Sequence, residues 1–380
     1  MLSVSGTAAP VRLIAVIRPN HRLGNILLLT PFMRELEERF PAARVEVIAA
    51  GGAARAVLRE FPQVSAIHAF PRMSFRHPLR VLSLLCALRR RSYDLAIDPV
   101  PHQRAGRFLL ELVGAREKAG FRWGVPRRDR ALTHSADPAR APARFSQAPV
   151  YLLQALWPQG SAARAGGANL GGGGGSKAQA SAGAGTAVHT SPDAGPAADT
   201  VPLELRLTAA EYSAGAQRLA AALGTAAPAA PAPGDIGPEE SVRIGIFAHA
   251  TGGKHLAVEW WRQLAGSLHA QLPGVQLLEI VPDDGRPRLA DAMPGLHTPD
   301  LRLLGATLAA LSLLVIADGG VMHLADAAGA RVLGLFLTTD PARYGPGGTG
   351  SEALDARGLS AAAAATHAAR MLAQSSAPAD

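Results

Sequence analysis

The chain is poor in several things. One cysteine, Cys86, stands among 380 residues, so no disulfide framework forms within the chain. It lies in the apolar run Leu82-Ser83-Leu84-Leu85-Cys86-Ala87-Leu88, where a helix with the thiol buried in the core is expected. Aromatic residues make up 5% and do not interleave with basic ones, so nucleic acid finds no stacking platform and is not expected as a partner. No apolar run is long enough to span a bilayer. Met1 to Pro10 lacks a basic stretch followed by an apolar one, so no secretory leader is expected and the cytoplasm is the expected compartment. Gly-x-Ser-x-Gly and Walker-type Gly-Lys-Ser/Thr patterns are missing. His249 and His255 are not spaced as a zinc pair, and no metal or cofactor is expected.

Hydrophobic residues are plentiful, at 48%, and the length suits two domains with sizeable cores. The formal charge is +8, which favours anionic partners such as phosphorylated substrates or acidic membrane surfaces. Arg72, Arg76, Arg80, Arg89, Arg90 and Arg91 crowd one region, and Arg122, Arg127, Arg128 and Arg130 another. The plainer reading of both clusters is a solvated surface.

Apolar runs and helical spacings alternate along residues 10–157. Val11 to Ile17, Val45 to Ala49, Val64 to Phe70 and Leu95 to Asp98 read as strands. Ile26 to Phe40, Ala53 to Glu60, Leu79 to Arg91 and Arg104 to Val113 read as helices. Residues 158–241 are a low-complexity, largely flexible insertion or linker containing Gly171 to Gly175. An island from Leu203 to Leu223, capped by Thr208, has helical features. Alternation resumes over 242–358, with strands at Val242 to Ala248, Val275 to Val281, Leu311 to Ala317 and Arg331 to Phe336. A helix is expected over Val258 to Leu272 and a short one over Leu308 to Leu311. An Ala-rich helix and tail occupy 359–380. The pattern predicts an α/β protein with two doubly wound, Rossmann-like parallel sheets.

In such sheets ligands bind beyond the carboxyl ends of strands. Four loops qualify: Arg18 to Asn25, His249 to Leu256, Pro282 to Gly285, and Asp318 to His323. Asp318-Gly319-Gly320-Val321-Met322-His323 joins a buried strand to a helix, and glycine there lets helix N–H groups approach an anion such as a diphosphate. Lys254, after Gly252-Gly253, and Thr251 suit phosphate contact, although a loop lysine is commonly just solvated. Asp283 and Asp284 sit where a carboxylate accepts from ribose hydroxyls, or in a plain turn with Pro282 and Gly285. Asp340-Pro341-Ala342-Arg343 reads either as a capped turn or as an arginine near the phosphates.

Two segments resemble glycosyltransferase family 9, the heptosyltransferase family of lipopolysaccharide assembly. One is Arg22-Leu23-Gly24-Asn25-Ile26-Leu27-Leu28-Leu29-Thr30-Pro31 with Arg39-Phe40-Pro41. The other runs from Ala317 through His323 and Gly334-Leu335-Phe336 to Thr339-Asp340-Pro341-Ala342-Arg343-Tyr344-Gly345-Pro346. His249-Ala250-Thr251 with Lys254-His255 is similar to the family's phosphate loop. The resemblance implies a GT-B fold, two Rossmann-like domains facing a cleft. It implies inverting transfer of a sugar, a heptose among the candidates, from a nucleotide-diphosphate donor to an anionic glycolipid or other surface glycan. No metal is needed. Thr251, Lys254, Asp283, Asp318, Gly319, Gly320, Val321, Met322 and His323 would line the donor, and Arg18, Asn20 and Arg22 the acceptor. Peripheral contact with the inner face of the inner membrane is compatible with such an acceptor.

Many family members carry an aspartate, the apparent base, where this chain has Asn25. An amide takes no proton at neutral pH, so Asn25 is left to orient the acceptor, with His21 and Asp98 as substitutes for the base. The same substitution motivates an alternative: a nucleotide-sugar-binding protein without transfer activity.

Overall fold

The computed structural model describes residues 10–49, 51–70, 78–158, 200–225, 241–250 and 252–375. Thr251, Arg72, Arg76, the Gly171 to Gly175 run and most of the 158–241 insertion lie outside them.

The first lobe contains β1 (Leu13–Arg18), α1 (Leu23–Leu27), α2 (Thr30–Arg39), β2 (Arg44–Ala49), α3 (Ala53–Leu58), β3 (Val64–Ala69) and α4 (Pro78–Arg90). It continues with β4 (Tyr93–Asp98), α5 (Arg104–Leu112), β5 (Ala115–Phe121), α6 (Pro126–Asp129), β6 (His134–Ala136) and α7 (Gln147–Leu156). Its six strands are parallel, in the order β3-β2-β1-β4-β5-β6. The strand order reverses direction between β1 and β4, which opens a crevice at their carboxyl ends. Covered on both faces, β1 reads as a continuous apolar run, Leu-Ile-Ala-Val-Ile, before Arg18.

A connector helix, α8 (Ala209–Leu223), precedes the second lobe. That lobe holds β7 (Arg243–Phe247), α9 (Val258–Gln271), β8 (Gln276–Ile280), β9 (Gly295–Leu296), α10 (Leu301–Ala309) and β10 (Leu313–Ala317). It ends with α11 (Gly320–Ala327), β11 (Val332–Phe336), α12 (Pro341–Tyr344), β12 (Glu352–Asp355) and α13 (Ala361–Ser375). The parallel order β12-β11-β10-β7-β8-β9 reverses between β10 and β7. The C-terminal helix α13 packs on α9 within this lobe.

Several elements differ from expectation. The helix expected over Ile26 to Phe40 is two helices, broken at Leu28-Leu29. Pro31 opens the second, where its missing N–H costs nothing, and the Thr30 hydroxyl donates to Leu27 O at 2.7 Å. The short helix expected over Leu308 to Leu311 is α10, which begins at Leu301 behind Asp300, whose carboxylate accepts from the Arg302 and Leu303 amides. β5 was illegible because Ala-Arg-Glu-Lys-Ala-Gly-Phe has no apolar run; it lies next to the edge strand β6. Cys86 is exposed on α4, because the buried side of that helix presents Leu88 with the partly buried Leu84 and Leu85.

The insertion contains a packed strap. Thr208 and Glu211 form a capping box at the start of α8, and Gly224 ends it at φ +67°. α8 lies against α10 so closely that a Cβ on Gly215 would stand 2.3 Å from the Ala306 carbonyl carbon. The strap ties the lobes by charge. Arg34 pairs with Glu204 at 2.9 Å, Arg206 with Glu37 at 2.7 Å, and Arg59 with Glu211 at 2.7 Å. Arg302, only 3% exposed, grips both Glu211 oxygens and donates to the carbonyls of Ala56, Leu205 and Arg206. First lobe, strap and second lobe thus meet on one guanidinium.

Candidate active site

Both strand-order reversals present their carboxyl ends to the junction of the lobes. On the second lobe, Asp318 follows β10 and is almost fully buried. It accepts from the Lys254 ammonium and the Thr339 hydroxyl. Lys254 closes a 3-10 turn that begins at Gly252, whose φ of +68° suits glycine. The lysine is a quarter exposed, so its charge is aimed by Asp318 yet reachable by a ligand.

The Gly319–Gly320 step starts α11, and His323 lies in its first turn. His323 is buried, and its Nδ1 has no hydrogen-bond partner among the described residues. Burial lowers its pKa to about 4; Asp318 pulls it up, while Lys254 and Arg144 push it down. The imidazole is therefore neutral near pH 7. A buried ring nitrogen left unpaired beside a lysine and a helix start suits an incoming anion.

The first lobe brings α1 directly onto α11. A Cβ on Gly24 would stand 2.9 Å from His323 Cδ2, and one on Gly320 would stand 3.3 Å from the Gly24 nitrogen. Glycine at both positions lets two backbones touch. The loop behind α1 is held by Arg18, which donates to Asn25 O at 3.3 Å and to Gln103 Oε1 at 2.9 Å. Arg18 is 2% exposed, and burial brings its pKa down to about 10 against the pull of Asp98. Asn20 Oδ1 accepts from the Arg22 amide at 3.0 Å, which fixes the loop's turn. His21 and Arg22 are exposed, and Asn25 is half-buried.

Some expected site residues sit elsewhere than a ligand contact requires. Met322 is fully buried, with its sulfur against Gly334, so its side chain belongs to the core. Asp98 is 1% exposed, 4.0 Å from Arg107 Nε and covered by Gly106. Burial pushes its carboxyl up to about 7, against Arg107, the Val100 amide and Arg18. Such a group titrates where a base needs to, but it does not open to an acceptor, which corrects its expected role. Asp283 stands in an exposed turn closed by Gly285 N–H to Pro282 O, and Asp284 caps that turn through the Arg286 amide. Asp340 caps α12 through the Ala342 amide, the plainer of its two readings, and Arg343 rests on the Phe145 and Tyr344 rings. Among the described residues there is no cluster of three metal-ligating side chains.

Other residues at the junction carry no local signal in the sequence. Arg144, from the first lobe, donates to Gly345 O at 3.1 Å in the second. Asp326 is buried and accepts from the amides of Gly347 and Gly348. The stretch Ala141-Pro142-Ala143-Arg144 has no periodicity to mark it, and Asp326 is concealed in an Ala-rich helix.

Residues 217–368 match the family model for glycosyltransferase family 9 (heptosyltransferase), from within α8 to within α13. No curated protein matches the chain. A glycosyltransferase family 9 structure from Veillonella parvula is similar over 96% of this chain and 97% of its own, with TM-score 0.69 and 14% identity. The E. coli ADP-heptose lps heptosyltransferase II is similar over 96% and 99%, with TM-score 0.65 and 17% identity. E. coli heptosyltransferase WaaC, solved with ADP, covers 96% and 100%, with TM-score 0.63 and 17% identity. The chain thus has two parallel six-stranded lobes of GT-B type, and the match to the glycosyltransferase family 9 (heptosyltransferase) model falls on the strap helix and the second lobe.

Proposed function

We propose that the enzyme moves a sugar, a heptose in the reading its relatives favour, from a nucleoside-diphosphate donor to a lipopolysaccharide-type glycolipid. Inversion at the anomeric carbon follows from direct attack by an acceptor hydroxyl. The observation that carries this reading is the convergence of Lys254, the α11 start and the unpaired His323 Nδ1 beside the first-lobe loop.

The diphosphate gains charge as it departs. Lys254 and the amides at Gly320 and Val321 stabilise that charge, and neutral His323 offers one N–H. Lys254 exchanges Asp318 for phosphate when the donor arrives, and Thr339 keeps Asp318 partnered. Opposite, Arg18 holds the Asn25 backbone, so the Asn25 amide orients the acceptor. The proton of the attacking hydroxyl passes to His21, the exposed group on that loop able to take it. Arg22, exposed beside it, and Asn20 meet an anionic acceptor. Asp283 remains the candidate contact for the donor ribose. The chemistry needs no metal, since Lys254 and the helix start carry the leaving-group charge.

Incubation with ADP-heptose and a heptose-deficient core glycolipid tests this. A product heavier by one heptose by mass spectrometry, with inverted anomeric configuration by NMR coupling, is expected. No product from that donor or from a panel of other nucleotide sugars would overturn it.

A further inference from the structure

Large apolar side chains exposed among the described residues gather on the first lobe: Leu79, Leu82, Phe108 and Val125. Leu79 and Leu82, at 79% and 56% exposure, share a stripe of α4 with Cys86 and Arg89, spaced at helical intervals. The opposite side of α4 buries Leu88, with Leu84 and Leu85 partly buried, against Ala15, Ile17 and Ala96 of the sheet. Leu109 and Leu110 of α5, with Val113 just beyond its end, pack into the same cluster. α4 and α5 therefore cover one sheet face, and Phe108, 56% exposed, stands on the outer side of α5.

The charge around this stripe has one sign. α4 contains no acidic residue, and Arg80, Arg89 and Arg90 are exposed with no ion-pair partner among the described residues. Arg104 is exposed at the start of α5, and Glu111 is the lone carboxylate on the two helices. In a parallel α/β layer each helix begins at the edge where the preceding strand ends. The apolar end of α4 and Arg104 thus stand at the carboxyl edge of the sheet, the edge that carries Arg18 and the Asn20 to Asn25 loop.

We propose that the α4–α5 face is the docking surface for an anionic phospholipid bilayer, with Leu79, Leu82 and Phe108 seated in the interface and Arg80, Arg89 and Arg90 on the headgroups. A helix lying in the interface plane with leucines on one face and unpaired arginines beside them has the required composition. The bilayer is favoured over a protein partner because unpaired arginines stand at both ends of the apolar stripe with no acidic residue on α4 between them, a complement to a uniformly anionic plane. No helix among the described residues is long and apolar enough to cross a membrane, so contact of this kind is peripheral. The proposal rests on the glycolipid-acceptor reading for its purpose, but its test does not use transfer.

Flotation with phosphatidylglycerol vesicles, phosphatidylcholine vesicles and no vesicles tests it. The full chain is expected to float with phosphatidylglycerol, to float far less with phosphatidylcholine, and to be released by salt. Leu79→Glu/Leu82→Glu and Arg89→Glu/Arg90→Glu are each expected to cut binding at least tenfold. All four positions are exposed, and unchanged thermal midpoints check that both variants fold. Failure of the parent to bind phosphatidylglycerol, or unchanged binding in both variants, overturns the proposal. So does concentration-dependent dimerisation that Leu79→Glu abolishes, because the face would then belong to a second copy. Transfer to a soluble oligosaccharide acceptor is expected to survive both double variants. Its absence in the parent would count against the proposed reaction and leave the lipid result standing.

Discussion

Gly24 of the first lobe lies flat against the His323 ring of the second, with no room for a methyl group between them. The first-lobe loop and the start of α11 are thus brought together only when the lobes meet. Gly24→Ala would force them apart. Overpacking of this kind costs roughly 1–3 kcal/mol, a rate loss of about ten- to a hundredfold. The loss is expected in kcat/KM together with a lowered thermal midpoint, because Ile26 and Leu27 beside Gly24 share one core with Met322 and Leu324.

Lys254 is poised on Asp318 rather than free. Lys254→Ala is expected to lower kcat by about 10²–10³, the usual cost of one preorganised group on developing charge. Asp318→Asn is expected to raise KM for the donor more than it lowers kcat, because the lysine loses its aim but keeps its charge. Steady-state kinetics with varied donor separate the two.

In the proposed reaction His21 takes the proton and Asn25 orients the acceptor, a task that the family resemblance gives to one carboxylate. His21→Ala is expected to reduce kcat by about 10²–10⁴, the range for a lost general base. Asn25→Asp in that background is expected to restore most of it. A His21→Ala enzyme with full activity would remove His21 from the mechanism.

His323 predicts a pH effect on stability. Its folded pKa, about 4, lies below the unfolded value of about 6.5, so the unfolded chain holds the extra proton between these limits. Its contribution is complete above about pH 6.5 and is lost as pH falls toward 4, on the order of 3 kcal/mol at most. Asp98 acts in the opposite sense: its raised pKa means the folded state keeps a proton that the unfolded state has lost. The measurement is therefore a difference. Urea midpoints of His323→Gln minus those of the parent should rise as pH drops from about 6.5 to 4.

Arg302 joins the strap to both lobes. Arg302→Ala leaves Glu211 with fewer cations and three carbonyls short of a donor, at a cost of roughly 3–5 kcal/mol. Arg302→Lys is expected to recover only part of this, since one ammonium cannot replace a fork that reaches Glu211 and three carbonyls. Urea unfolding of both variants measures the difference.

Much of this protein is written locally. Buried parallel strands must be apolar on both faces, so β1, β7, β10 and β11 stand out as runs, and the Asp318 to His323 turn declares itself by its glycines. Thr208 and Glu211 mark the start of the strap helix by their spacing alone. Other features depend on what comes to lie beside what. Cys86 and Leu84 have similar local surroundings, yet the helix turns one to solvent and the other to the sheet. Met322 and His323 are chain neighbours, but the helix sends the sulfur into Gly334 and the ring toward Gly24. Asp98 is a carboxylate at a strand end, where sequence favours function, and only the packing of Gly106 and Arg107 shuts it in. Arg144 and Arg302 had no local signal at all, because their partners are carbonyls and carboxylates brought from distant segments. Short-range periodicity and turn chemistry set the elements; burial and the meeting of the two lobes set charge, access and pairing, and these are long-range quantities.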